Sequence, residues 1–168
     1  EFAVQCVVFH IAEDRYALDA RSVVEIVPSI PLRRIVGAAD HVLGVFDYRG
    51  VVVPVVDLGI YLGHPACRDA YATRILVCDV QQDVAARHDT HDAETLVGVR
   101  AERVVQIESI DPEQAGSHAG PASTGRPALG RIVNDEAGLL QFVSVRELLA
   151  PEVLRTLRQD AASGAETA

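Results

Sequence analysis

The sequence predicts a mainly β protein, built as two related lobes of short antiparallel strands with only brief helices. Valine-rich runs of a few residues recur between Gly, Pro, Asp and Ser, as half-buried strands bounded by turns require. Helical periodicity is confined to short stretches around Leu58, Val145 and Leu154, so helix content is expected to be low. The chain also repeats itself. Residues 4–10 align with 73–79, 16–26 with 97–107, and 52–58 with 139–145, in the same order and at similar spacing.

The candidate strands are 4–11, 16–20, 23–27, 51–56, 74–80, 96–100, 104–107 and 139–143. Each half offers four or five, enough for a small barrel, whose closure hides most strand edges. We expect one domain over 3–160, with lobe one at about 3–65 and lobe two at about 72–149. Pro54 lacks an N–H and belongs at an edge, a bulge or a strand end. Asp57 is a good N-cap for the short helix that follows it. Ser144 with Glu147 three residues on reads as a capping box. A last helix is expected over 151–159, since Pro151 suits a first helical position. It should dock against one barrel or the lobe junction through Val153, Leu154 and Leu157, and 161–168 reads as a disordered tail of small residues. The polar loop 81–95 and the Gly/Pro/Ala/Ser-rich stretch 111–128, read as a mobile connection, distinguish the lobes.

Composition excludes several function classes. The 168 residues carry a net charge of −9, so no basic footprint for nucleic acid or acidic lipid exists. All 15 basic residues are arginine, which removes Schiff-base, pyridoxal-phosphate and P-loop lysine chemistry. The longest apolar run, 51–56, is far shorter than the roughly 18 residues of a membrane span. Three cysteines without a Cys-x-x-Cys pair argue against a disulfide framework or zinc finger. With no methionine, the chain is expected to begin after its natural start. No nucleophile-elbow, zinc-protease or dinucleotide motif occurs. The one cluster of metal-ligand types is the loop with His88, His91, Asp92 and Glu94. Ordering such a loop is entropically costly, so solvated side chains are favoured over a metal or small-ligand site there. Cys67 next to Arg68 raises the option of a cysteine nucleophile, but an idle thiol is favoured. We expect no catalytic residue, no metal and no cofactor.

One turn stands out. Asp47-Tyr48-Arg49-Gly50 suits a type I turn, with Asp first and Gly fourth, and would project Tyr48 and Arg49 outward. An outward Tyr beside Arg is the pairing enriched in protein-binding hot spots, although a solvated turn is the simpler reading of the residues alone. Glu25 interrupts the apolar run 23–27, and strand alternation points it away from the core.

These residues resemble a family, the CheW-like coupling proteins of bacterial chemosensory systems. The resemblance spans nearly the whole chain. It rests on Tyr16-Ala-Leu-Asp19, Val23-Val-Glu-Ile26, Val42-Leu-Gly-Val45, Arg49-Gly50, Val53-Pro-Val-Val-Asp-Leu58 and Leu62-Gly63. It implies two SH3-like five-stranded β-barrels on a shared hydrophobic junction, and a non-enzymatic adaptor. The implied partners are the regulatory domain of a CheA-type histidine kinase and the cytoplasmic tip of a chemoreceptor. The implied location is the cytoplasm, at the inner face of the membrane through receptor arrays. By the same resemblance Glu25, Tyr48, Arg49 and Gly50 are protein-binding residues. The chain departs from the family at Asp47-Tyr48, where Asn-Leu is usual, and at Gly59, Glu102 and Ser144. This implies a divergent member with its own cognate receptor and kinase.

Overall fold

Strand alternation and short turns lay the chain out as β1 (Val4–Ile11), β2 (Asp14–Asp19), β3 (Val23–Pro28), β4 (Val42–Tyr48) and β5 (Val51–Asp57). The helix α1 (Leu58–Tyr61) follows, then β6 (Arg74–Asp79), β7 (Leu96–Ile110), β8 (Gly116–His118), β9 (Leu129–Asp135), β10 (Gly138–Val143) and α2 (Pro151–Glu166). The structure, a computed structural model, describes residues 3–81, 95–111, 113, 116–118 and 128–166. The loop with His88, His91, Asp92 and Glu94 lies outside them. Of the stretch read as a mobile connection, Gly116–His118 pairs antiparallel with β9.

The strands join into one sheet that curls into two lobes, with β7 as the element common to both. In the first lobe β6 pairs antiparallel with β3 and with the start of β7, while β5 pairs antiparallel with β4 and parallel with β7. In the second, β1 pairs antiparallel with β2 and with the end of β7, while β10 pairs antiparallel with β9 and parallel with β2. These four pairings correspond one for one between the lobes, β8 on β9 being extra to the second, so the repeat in sequence is a repeat in structure.

Lobes of 3–65 and 72–149, however, need correcting. The first two strands of each half cross over and complete the lobe of the other half. The crossing between β2 and β3 is a 3-10 turn at Ala20–Ser22, capped by Asp19. Its counterpart is a bend inside β7, where Arg103 has φ 46°. Exchange buries the crossing strands on both faces, which explains their uninterrupted apolar runs. Cys6 and Val8 of β1 fill the second lobe, while Val7, Phe9 and Ile11 face a shared junction core. Ile75 and Val77 of β6 fill the first lobe, while Leu76 and Cys78 enter the same junction. Ile26 and Ile107, equivalent in the repeat, both stay exposed. Pro54 stands opposite Val45, one residue before β5 gains β7 as its second neighbour.

Helix ends differ from expectation in two places. Asp57 caps α1 as expected, its Oδ1 accepting from the Ile60 N–H at 3.0 Å. Ser144 forms no capping box; a 3-10 turn, Val145–Glu147, follows without a side-chain cap. The last helix continues through Glu166, where alanines at 161, 162 and 165 favour helix. It docks on the first lobe through Leu154 and Leu157, joined by Leu149, against Val42, Val56 and Val97. Val153 is 43% exposed, because neighbouring helical residues lie about 100° apart. Among the described residues no helix is long and apolar enough to cross a membrane.

The second lobe is tied at its rim by Arg15, whose guanidinium grips both oxygens of Asp135 at 2.8 and 3.2 Å and lies 3.5 Å from Glu108. The Arg15 hydrogen bond holds the Asp135 carboxyl below its usual 3.8. A lowered folded value contributes stability that is fully present above pH 3.8 and lost as pH falls through the lowered one. Asp135→Asn should therefore cost about 1.5 kcal/mol at neutral pH and flatten the acid limb of a urea-stability profile. An unchanged acid limb would show that the clasp contributes nothing.

Candidate functional site

The β4–β5 turn lies one residue further along than a type I turn over 47–50 implies. Tyr48 pairs directly with Val51, so Arg49 and Gly50 alone make the turn. Both have positive φ, 51° and 84°, the mirror-image two-residue turn that matches strand twist. This corrects the turn type and leaves Arg49 left-handed, at a cost of about 1–2 kcal/mol for a residue with a Cβ. Asp47 Oδ1 accepts from the Gly50 N–H at 2.8 Å and braces the turn. The Tyr48 ring meets Phe46 edge-on at 6.2 Å.

The candidate residues converge. Glu25, on β3, accepts a hydrogen bond from the Tyr48 hydroxyl through Oε2. The same oxygen lies 3.1 Å from Arg49 Nη2, and the Arg49 guanidinium sits 5.3 Å from the Tyr48 ring centroid. Burial first, then the hydrogen bond and charge of Glu25, raise the Tyr48 pKa, so its hydroxyl stays a donor. Through Oε2, Glu25 steadies Arg49. The Arg49 side chain is 75% exposed, so the ion pair adds little stability. What it does is orient a solvent-facing guanidinium, whose planar fork suits carboxylates and carbonyls.

Sequence reasoning missed the support at the other end of this hairpin. Asp57 is fully buried. Besides capping α1, it accepts from the Cys67 N–H through Oδ2 at 3.0 Å, and the Arg100 guanidinium lies 4.0 Å away. A Cβ on Gly59 would stand 2.4 Å from the Pro65 carbonyl oxygen, which explains why no larger residue occupies that position. At Gly44, φ is 151° and a Cβ would lie 2.3 Å from the Arg33 carbonyl oxygen, where Arg33 bridges to Val45. Gly44 was visible inside a motif and Gly59 as a departure from the family, but the loops that press on them, at Arg33 and Pro65, carry no periodic pattern that places them there.

Cys67 is not activated by Arg68. Burial, with the Asp57 charge adding to it, pushes its thiol up to about 12. Alkylation of the folded protein by iodoacetamide at pH 8 should leave Cys67 far slower than free glutathione; a comparable rate would contradict its burial. Cys6 and Cys78 are also free and buried. Among the described residues no three His, Cys, Asp or Glu side chains gather as metal ligands.

Residues 5–152 match the CheW-like domain family. The chain belongs to the CheW-like family. A stretch of 85 residues is 33% identical to the chemotaxis protein CheW of Helicobacter pylori, covering 51% of this chain and 52% of that protein. The match thus spans about half the length of that curated relative. The scaffolding protein TtCheW of Thermoanaerobacter tengcongensis has the same fold, with a TM-score of 0.73 at 20% identity, covering 89% of this chain and 90% of that one. The two-barrel architecture read from the resemblance is therefore the CheW-like fold.

Proposed function

We propose that this CheW-like protein is a non-enzymatic adaptor that couples chemoreceptors to a CheA-type histidine kinase. Its partners would be the kinase regulatory domain and the cytoplasmic tip of the receptor, met at the inner face of the membrane in receptor arrays. The observation that carries the reading beyond family membership is the tip itself. Glu25 and Tyr48 hold the Arg49 guanidinium, its charge facing solvent, on a turn that keeps the Arg49 backbone left-handed. Strain kept where it adds no stability marks a position retained for contact. Adaptor action requires binding free energy that differs between signalling states, with receptor and kinase held on one rigid body. The β7 element, common to both lobes, supports such rigidity.

Titration calorimetry with the cognate kinase regulatory domain and a receptor-tip fragment tests the proposal. Binding to each, and kinase control in a reconstituted array only when the adaptor is present, is the expected result. Failure to bind either partner would refute it.

A further inference from the structure

Arg100 is a half-buried cation with unmet hydrogen-bonding capacity. It lies in β7 between Asp57 of β5 and Ile75 of β6. Its side chain is only 16% exposed, and its acidic neighbours stand beyond hydrogen-bond range, Asp57 at 4.0 Å and Asp69 at 3.7 Å. The Nε–H is shielded from solvent and has no acceptor. Leaving such a donor unpaired is costly. Arg100 opens onto a hollow of about 310 Å³ whose wall is part apolar, from Ile30, Pro31, Leu32 and Leu43, and part polar, from Ser29 and Asp69. Ile30 is itself an exposed apolar side chain at this hollow.

We infer that this hollow receives the carboxylate of an acidic side chain flanked by apolar residues on a protein partner, with Arg100 as the receiving group. The apolar part of the wall matches the flanking residues, and the guanidinium supplies paired donors in the geometry a carboxylate fits. Asp57 is occupied with backbone N–H groups on the interior side. Asp69, whose side chain is 85% exposed, makes only a long, solvent-screened pair, which an incoming carboxylate replaces. The site lies in the first lobe, like the Arg49 tip, and gives the adaptor a second, chemically distinct point of attachment. That the partner is a protein rests on the adaptor reading; the chemistry of the hollow does not.

Two measurements on the full chain separate these. In the first, 4-methylpentanoate, an apolar carboxylate, is titrated while the Arg100 Nε–Hε resonance is followed by NMR. A saturable shift is expected, absent with the neutral 4-methylpentanamide and absent in Ile30→Asp, which places a carboxylate at the rim. No shift, or an equal shift with the amide, would overturn the site. In the second, Ile30→Asp and Arg100→Leu are titrated against the kinase regulatory domain and the receptor-tip fragment beside Arg49→Ala. Each should weaken one partner about tenfold. Ile30→Asp keeps the result interpretable if Arg100→Leu, which strips the counter-ion from Asp57, fails to fold. Weakening by Arg49→Ala alone would overturn the protein-docking inference while leaving the adaptor reading intact. If the wild-type chain binds neither partner, the adaptor reading falls with the protein-docking claim, and the 4-methylpentanoate titration alone judges the hollow.

Discussion

Replacing Asp57 with alanine should destabilise the protein by about 3 kcal/mol or more. The carboxylate is wholly buried, caps α1 and accepts from the Cys67 N–H, so it joins β5, α1 and the following loop. Its removal loses an N-cap, about 1 kcal/mol. It also removes the interior counter-ion of Arg100 and leaves a buried Cys67 amide unpaired, the costlier effect because that N–H does not regain water. Asp57→Asn, which keeps an acceptor of the same shape, should cost less than the alanine change. Gly59→Ala should act in the same direction by a different route, since its Cβ would press on the Pro65 carbonyl. Urea unfolding checks all three through a lowered midpoint at constant slope. A loss below about 1 kcal/mol for Asp57→Ala would mean that capping alone is at stake.

The fold was legible because short strand runs and the internal repeat both survive in the valine spacing. Lobe membership was not. A repeat identifies which segments are alike, and the strand 4–11 satisfies its pattern equally against either copy of its partner. Only the bend at Arg103 and the turn at Ala20–Ser22, which are tertiary facts, decide that the first hairpin crosses over. At the site, Tyr48, Arg49 and Gly50 were visible as turn chemistry and Glu25 as a charge in an apolar strand. Their convergence on one carboxylate oxygen was hidden, because β3 and the β4–β5 tip are 23 residues apart. The type I assignment failed for a related reason. Asp first and Gly fourth fit that turn locally, but the pairing of Tyr48 with Val51 leaves two residues to reverse the chain.

Arg49 should separate binding from stability. Replacing it with alanine is expected to weaken association with a cognate partner by about 1–3 kcal/mol, roughly five- to 150-fold in Kd. The fold should tolerate the change, since the side chain is mostly exposed and its pair with Glu25 is solvent-screened. Arg49→Gly sharpens the test, because glycine removes the Cβ penalty of the left-handed conformation. That variant should be more stable than the parent by about 1 kcal/mol while binding as poorly as Arg49→Ala. Glu25→Gln keeps an acceptor for the Tyr48 hydroxyl but removes the charge beside Arg49, and should weaken binding less than loss of the arginine. Titration calorimetry of the three variants against the kinase regulatory domain and the receptor tip, with urea midpoints measured alongside, gives every quantity needed. A more stable Arg49→Gly that binds both partners as well as the parent would return Arg49 to an ordinary solvated turn residue.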